Sequence, residues 1–423
     1  VVVAGLVFAG PALAAPRTVC GSGCAFSSIQ TAIEESSPGA TITIAAGTYL
    51  ENVVVTKPVT LKGSGPGTII EPAVANPVCG PGSLCEGAAS NIILVQADNV
   101  TISGMKLEGD NPKLTSGVIR NGKEIDARNG IITNHLLGTY NNLTVSKVTV
   151  ADVYLRGIYA SSGGTFDFTH DAVENVEGSE ESIAIFDFEG AGVVSHDTVT
   201  KANDAISANW SKGTQFLDNK ISDSGSGIHT DNNGGSGGTA DLIQGNKISA
   251  CPVNGYGIFV FAPYVSATVS DNTVSGCAVG LAAFGSQVSG QGPTFLGNKV
   301  DGTGASSSEP GGTYGAYLTT DLLGYGYGDL NATLSGNTIE HFGTGMFVTQ
   351  TNPSPEQPAG GQATVNASNN TIQSDTAGAA GEPGTVVNAQ NNWWGCAAGP
   401  TGAGKCESVT GTVAYTPWLT TKP

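Results

Sequence analysis

Charge is what this chain has least of. Only 12% of its 423 residues are charged, with 17 Lys and Arg against 35 Asp and Glu. The shortage of bases and the net charge of −18 exclude a nucleic-acid partner and an anionic membrane surface. They also set neutral glycans apart from acidic ones, which would be repelled unless a divalent cation intervened. So little charge at a mean hydropathy near zero excludes intrinsic disorder. Long apolar runs are missing after residue 15, so no membrane span is expected. The one such run, Val1 to Ala14, closes with Ala12-Leu13-Ala14 before Ala15. It has the apolar stretch and small-residue cleavage site of a secretory signal peptide, without the charged leader. Residues 1–14 are therefore expected to be a signal remnant, and 15–423 a single exported domain, secreted or on the cell surface. The Gly234–Gly238 stretch has no following Lys-Ser/Thr, so it is a loop and not a phosphate cradle.

What is abundant is Gly, 61 residues of it, with Ser, Thr and Asn, a composition that reads as all-β with many turns. A repeat organises it. The pattern apolar-x-x-Asn-x-Ile/Val places Asn219, Asn246, Asn272, Asn298, Asn337 and Asn370 in one column, preceded by Asp171 and Asp197. The closing residues Val173, Val199, Ile221, Ile248, Val274 and Val300 are spaced by 26, 22, 27, 26 and 26 positions. Ile339 and Ile372 follow at longer intervals, which the stretches 301–313 and 351–362 account for as extruded loops. A second run recurs after a small residue, as in Gly157-Ile158-Tyr159, Ser182-Ile183-Ala184, Gly227-Ile228-His229 and Gly257-Ile258-Phe259. Short strands of this kind cannot bury an apolar face alone, and stacking does so for them. The fold expected is a right-handed parallel β-helix solenoid of about ten coils. The Asn column suits a tight corner, because Asn and Asp tolerate a left-handed backbone and can bond along the stack.

Eight cysteines in an exported chain suggest four disulfides. Proximity pairs Cys20 with Cys24, Cys79 with Cys85 and Cys396 with Cys406. Cys251 and Cys277 each lie three residues after a closing apolar residue, so they occupy one point on adjacent coils. Stacked strands lie about 4.8 Å apart, within a disulfide's reach.

A solenoid needs caps. Phe26, Ile29 and Ile33 have helical spacing after a Ser that can cap, giving a short N-terminal capping helix within a cap of about 20–63. The following Pro38 to Val53 and Lys57 to Gly63 resemble the opening segment of the pectin-lyase-like right-handed β-helix superfamily, which includes pectin methylesterases and NosD-like periplasmic proteins. The Asn pattern resembles that group's parallel β-helix repeat. Asn391-Asn392-Trp393-Trp394-Gly395, with Pro417-Trp418-Leu419, is similar to the terminal segment of exported bacterial β-helix repeat proteins, giving a C-terminal cap of about 388–423. Trp393 and Trp394 either close the last coil or offer a sugar-stacking platform. The resemblance implies the fold and leaves the activity open. The Asn-Thr-Asp and Gly-His-Gly elements of polygalacturonases, the Trp-Ile-Asp-His element of pectate lyases and the Gly-Arg-Pro-Trp element of pectin methylesterases are all missing, although Asn203-Asp204 is a fragment. No catalytic residue carries over.

Strand alternation supplies the remaining candidates. With Ile158, Ile183, Ile206, Ile228, Ile258 and Leu281 inward, an outward stack reads Tyr159, Ala184, Ser207, His229, Phe259, Ala282, Tyr317 and Phe347. A second reads Ser161, Phe186, Asn209, Asp231, Phe261, Phe284 and Thr319. Outward Phe residues should be roofed by loops or stack on a ligand such as a sugar ring. His229 and Asp231, about 7 Å apart along one strand, could act as base and acid in lyase or glycoside hydrolase chemistry, or be a solvated pair at a turn. Asp187 and Glu189 follow the strand two coils earlier and could add a second, catalytic carboxylate or a cation ligand; calcium is the one cofactor the pattern admits. The expected site is thus His229, Asp231 and Asp187 for catalysis, with Tyr159, Phe186, Asn209, Trp210, Phe259, Phe261, Phe284 and Tyr317 for binding a polysaccharide or cell-surface glycan. The other function class is a non-catalytic surface, matrix or adhesion solenoid. His170-Asp171 and His196-Asp197 stack 26 apart, but their Asp residues fill the corner column, so a metal site is not expected there. Oligomeric state leaves no mark on the sequence.

Overall fold

The computed structural model describes residues 17–423 except 233–237, 262, 264, 287, 289, 310, 323–327, 351–360 and 401–405. The expected signal remnant, most of the Gly234–Gly238 loop and most of the 351–362 bulge lie outside the described residues. The chain winds through three parallel sheets of 15, 13 and 13 strands, in which each strand pairs with the equivalent one of the next coil. It is a right-handed parallel β-helix, as the period predicts. Thirteen strands in each of two sheets make about thirteen turns where ten are expected. The surplus turns lie at the ends, as in Gly47–Leu50 and Thr68–Glu71, where the Asn column that marks a coil is absent.

The local reason for the strands is visible in the second sheet. Lys220–Ser222, Lys247–Ser249, Thr273–Ser275 and Lys299–Asp301 each hold one buried β-branched residue between polar neighbours. Ile221, Ile248, Val274 and Val300 align in register, and Ile339 and Ile372 continue the row. The Gly of the second run also has a physical cause. A Cβ on Gly257 would lie 2.4 Å from Val274 Cγ1 and 2.5 Å from the Gly280 carbonyl oxygen, so the third sheet approaches the second too closely for any larger residue.

The Asn column forms a continuous buried ladder at the corner between the first and second sheets. Asn219 Nδ2 donates to Asn246 Oδ1 at 2.9 Å, and the Asn219 backbone N–H donates to the same oxygen at 2.9 Å. The pair of bonds repeats from Asn246 to Asn272, Asn298, Asn337, Asn370 and finally Asn392. Upstream, the amide of Val148 donates to Asp171 Oδ1 and that of Asp171 to Asp197 Oδ1. The left-handed backbone expected at the column sits one residue earlier, at His170, His196, Asp218, Gly245, Asp271, Gly297, Gly336 and Asn369. That residue makes the corner, which frees the Asn side chain to point inward and bond along the stack.

Four disulfides join Cys20 to Cys24, Cys79 to Cys85, Cys251 to Cys277 and Cys396 to Cys406. Cys251 and Cys277 have Cα atoms 4.7 Å apart on adjacent coils. At the N-terminal end the helix Ile29–Glu34 buries Ile29, Ala32 and Ile33, and Ser28 caps it. Glu51 reinforces the cap, accepting from the Ser28 hydroxyl and from the Ile29 and Gln30 amides at 2.9 Å each, where a carboxylate also opposes the helix dipole. At the other end Trp394 is fully buried in the core. No helix among the described residues is long and apolar enough to cross a membrane.

Candidate functional site

The outer face of the third sheet gathers the aromatic residues. Its in-register row runs Tyr159, Phe186, Ser207, His229, Phe259, Ala282, Tyr317 and Phe347. The next outward row holds Phe188, Asn209, Asp231 and Phe261. The assignment expected for one strand is therefore shifted by two. Ile185, not Ile183, aligns with Ile158 and Ile206, so Phe186 takes the place given to Ala184, and Phe188 the place given to Phe186.

The strand's alternation also corrects Asp187, which faces inward in either register. It pairs with Ala160 and Ala208 on the inward-facing set, is 1% exposed, and its carboxylate accepts from the Gly190 amide at 2.9 Å and the Thr214 hydroxyl at 2.7 Å. Burial pushes its pKa up to about 8. Asp187 belongs to an internal polar network and is not offered to a ligand on the outer face. The calcium pairing with Glu189 fails for the same reason: one carboxylate is inside, and Glu189 is the left-handed residue at the strand's end. Likewise, Asp171 and Asp197 point into the ladder while the His170 and His196 rings stack outside at 4.9 Å, so these four groups do not converge. The carboxylates and imidazole that do converge among the described residues are Asp301, Glu340 and His341, at an exposed corner.

The face has three stretches. At the N-terminal end Tyr159 and Phe186 stack at 4.6 Å and are 6% and 5% exposed, clustered with Leu84, Ile132 and Ile183. The roof is the Cys79–Cys85 loop; its carbonyls at Gly80, Gly82 and Ser83, with that of Pro77 just before it, accept from the Arg128 guanidinium at 2.7–3.1 Å. Arg156 lies beneath, its guanidinium 4.9 Å from the centre of the Phe186 ring. Toward the C-terminus, Phe284 is buried with Val279 and Ala282 against half-buried Phe259, Phe261 and Tyr317. Tyr159, Phe186 and Phe284 are thus packing residues.

Between these stretches the face is less covered, and its exposure centres on one residue. A β-bulge separates Asn209 from Ser211, and its extra residue, Trp210, has φ of 56° and is 52% exposed. A left-handed backbone is strained for so bulky a side chain and persists only where its surroundings enforce it. Here the Asp231 carboxylate accepts the Trp210 amide, and the Trp210 ring lies 6.2 Å from that of Phe188, inclined by 19°. Burial raises Asp231 to about 7, against the lowering effect of that amide and with a further rise from Asp241. Asp241 sits inside the corner, accepting from the Ser211 and Thr230 hydroxyls and the Thr214 amide.

His229 stacks on Phe259 at 4.2 Å, and its Nδ1 is 3.0 Å from the Ser207 hydroxyl. Burial pushes its pKa down to about 4, so the ring is neutral at pH 7. Its Nε2 is enclosed without a hydrogen-bond partner, as is Asn209 Oδ1. The imidazole therefore presents neither nitrogen freely to the face. Of the three expected catalytic residues, the structure brings His229 and Asp231 to one face and sends Asp187 inside.

One feature escapes a repeat-based reading. The 301–313 loop folds back onto the 251–255 turn, with Asn254 Oδ1 accepting from the Ser308 amide at 2.8 Å and the Ser307 hydroxyl at 3.1 Å. Between loop and face lies a cavity of about 430 Å³ lined by Tyr256, Tyr314, Tyr317 and Glu309. The signal available in the sequence was the alignment of Tyr256 and Tyr314 just before the Gly of two coils.

The sequence family described as "right handed beta helix region" matches residues 129–321. The A-module of an Azotobacter vinelandii mannuronan C-5 epimerase superposes with a TM-score of 0.54 at 16% identity, covering 92% of this chain and 94% of that one. A periplasmic alginate epimerase, solved as a double mutant, superposes with a TM-score of 0.51 at 12% identity, covering 85% and 81%. No curated protein sequence matches the chain. At such identities the likeness shows the fold, and the right-handed β-helix that the opening segment and the Asn repeat led one to expect holds at that level.

Proposed function

We propose that this chain is an exported β-helix that binds an extracellular polysaccharide across the less covered stretch of the third sheet's outer face. The observation that carries the reading is Trp210, a half-exposed aromatic held in a strained bulge by the carboxylate of Asp231. With the Phe188 ring beside it, it offers a flat apolar platform next to the polar groups Asn209 and Asp231, the combination that sugar rings require of a binding surface. The four disulfides suit an oxidising compartment. Both similar structures are named as epimerases of mannuronan or alginate, and this chain shares their fold.

The test is affinity electrophoresis or calorimetry over a panel of neutral, amino and acidic polysaccharides. Trp210→Ala is expected to weaken the responsive glycan by about tenfold or more, the effect of roughly 1.4 kcal/mol. Unchanged affinity for every responsive glycan would remove this site.

A second reading, cleavage of the bound glycan, is favoured by Asp231 alone. A carboxyl raised to about 7 holds a proton for a leaving group near neutral pH, as a general acid must. Under it, Asp231→Asn abolishes the reducing ends or unsaturated products formed by the wild type while glycan binding persists. The enclosed Nε2 of His229, with Nδ1 engaged by Ser207, favours binding without turnover.

A further inference from the structure

We infer that the cavity beside the 301–313 loop is a subsite for a protonated amino sugar. The proposal rests on reading the third sheet's outer face as glycan-binding, and it names the chemistry of one unit of that glycan. Three tyrosines form the walls. Tyr314 and Tyr317 have ring centres 5.3 Å apart at 48°, and Tyr314 stacks on Phe347 at 5.2 Å, which fixes its plane. Tyr256 faces them from an earlier coil, held by Phe259 at 5.5 Å. At about 430 Å³ the space falls within the range of small-molecule sites and can receive a hexose ring.

The electrostatics select what enters. Among the described residues of the lining, Glu309 is the one that carries charge, with no Lys, Arg or His beside it. The charges that reach the three tyrosines from around the cavity are also negative, Glu309 on Tyr256, Asp321 on Tyr317 and Glu382 on Tyr314. Aromatic faces and a carboxylate, with no opposing cation, attract an ammonium group by cation–π and charge attraction and repel a uronate. A primary ammonium on a pyranose ring matches both parts, since the ring can stack on a tyrosine and the nitrogen needs acceptors. The loop is shaped around the aromatic wall. A Cβ on Gly311 would lie 1.7 Å from the Tyr314 hydroxyl, and Asn254 ties the loop back through Ser307 and Ser308.

The experiment is calorimetric titration of the full chain with three tetrasaccharides: glucosamine oligomers, their N-acetylated counterparts and oligomannuronate. The glucosamine oligomer is expected to bind about tenfold more tightly than the N-acetylated one, and the preference to disappear as pH rises through the titration of the amine. Glu309→Gln should remove the preference while retaining the thermal midpoint, because Glu309 is exposed and the substitution keeps its size. Gly311→Ala should weaken both neutral and amino oligomers by displacing Tyr314. Equal binding of the two oligomers, tighter binding of oligomannuronate, or a preference that survives Glu309→Gln would each overturn the inference. Trp210→Ala separates it from the reading it rests on. Loss of polysaccharide binding in that variant with an unchanged ammonium preference in short oligomers would keep both. Insensitivity to Trp210→Ala with a Glu309-dependent preference would refute the Trp210 stretch and keep the subsite.

Discussion

Two stretches of one face use the same aromatic chemistry for different ends. At Tyr159 and Phe186 the rings stand on a regular strand register, and a disulfide-closed loop gripped by Arg128 covers them. Phe188 lies two residues further along the strand of Phe186, and beside it on the next coil the register breaks at a bulge, where Trp210 remains half exposed. An aromatic residue on this face therefore does not by itself mark a binding surface. What decides is whether the chain supplies a cover, and whether it has accepted backbone strain to keep the ring in place.

Substitutions can break this contrast, and Phe186→Ala should have the largest effect. Emptying a fully packed aromatic site costs about 3–5 kcal/mol in denaturant unfolding, with glycan affinity of the remaining folded protein unchanged. Removing the roof's staple by Cys79→Ser with Cys85→Ser should cost about 2 kcal/mol, the loop-closure value for so short a span, and leave the Trp210 stretch untouched. The pH profile sharpens the contrast further. Asp231 is raised in the folded chain to about 7, above its unfolded value near 3.9. Its contribution to stability is thus full below about pH 4 and lost as pH rises through 7. Asp231→Asn should remove that share of the decline, leaving the variant at least ~1 kcal/mol less pH-sensitive between pH 4 and 8 in unfolding titrations. Trp210→Ala should have the smallest effect on stability, within about 0.5 kcal/mol. Should it destabilise the chain as much as Phe186→Ala, the Trp210 stretch is packing too and the contrast is lost.

The solenoid was legible because its marks repeat. An inward Asn recurs with every coil from Asn219 onward, and a Gly recurs where the third sheet crowds the second, so each residue confirmed its neighbours' register. Near the ends no such column exists, and the extra turns carry no mark to count. The strand at Ile183–Phe188 shows a different limit. Ser182-Ile183 and Ala184-Ile185 give the same small-then-apolar signal, and a shift of two residues preserves which side faces in. Only pairing with Ile158 and Ile206 decides between them. Parity alone puts Asp187 on the side of Ile183 and Ile185, so its inward course was readable from the strand once its length was known. The bulge at Trp210 was not, because one added residue leaves no trace in composition and shows only as the mismatch of Asn209 and Ser211 against Asp231 and Asn232. The tyrosine cavity depends on a loop folding back across some 50 residues of sequence, a span of 54 between Asn254 and Ser308, and nothing local encodes that.

The ladder gives the molecule a direction. From Asn219 to Asn370 each side-chain oxygen accepts from the N-terminal side, while the backbone amide and one Nδ2 hydrogen donate to the next Asn and the other Nδ2 hydrogen donates back to a carbonyl of the preceding coil, so no coil completes its own hydrogen bonds until the next is laid down. The Asn-to-Asn bonds all run one way. A break after any of these coils leaves the same two donors, one amide and one side chain, facing nothing. The ladder ends at Asn392, whose Nδ2 keeps the backward bond, here to the Ala367 carbonyl, and gives its other hydrogen to the Ala389 carbonyl instead of to a further Asn. Removing a whole interior coil would rejoin like to like, whereas removing the coil that carries Asn392 would bare those donors at an open sheet end, where they would seek acceptors on another molecule.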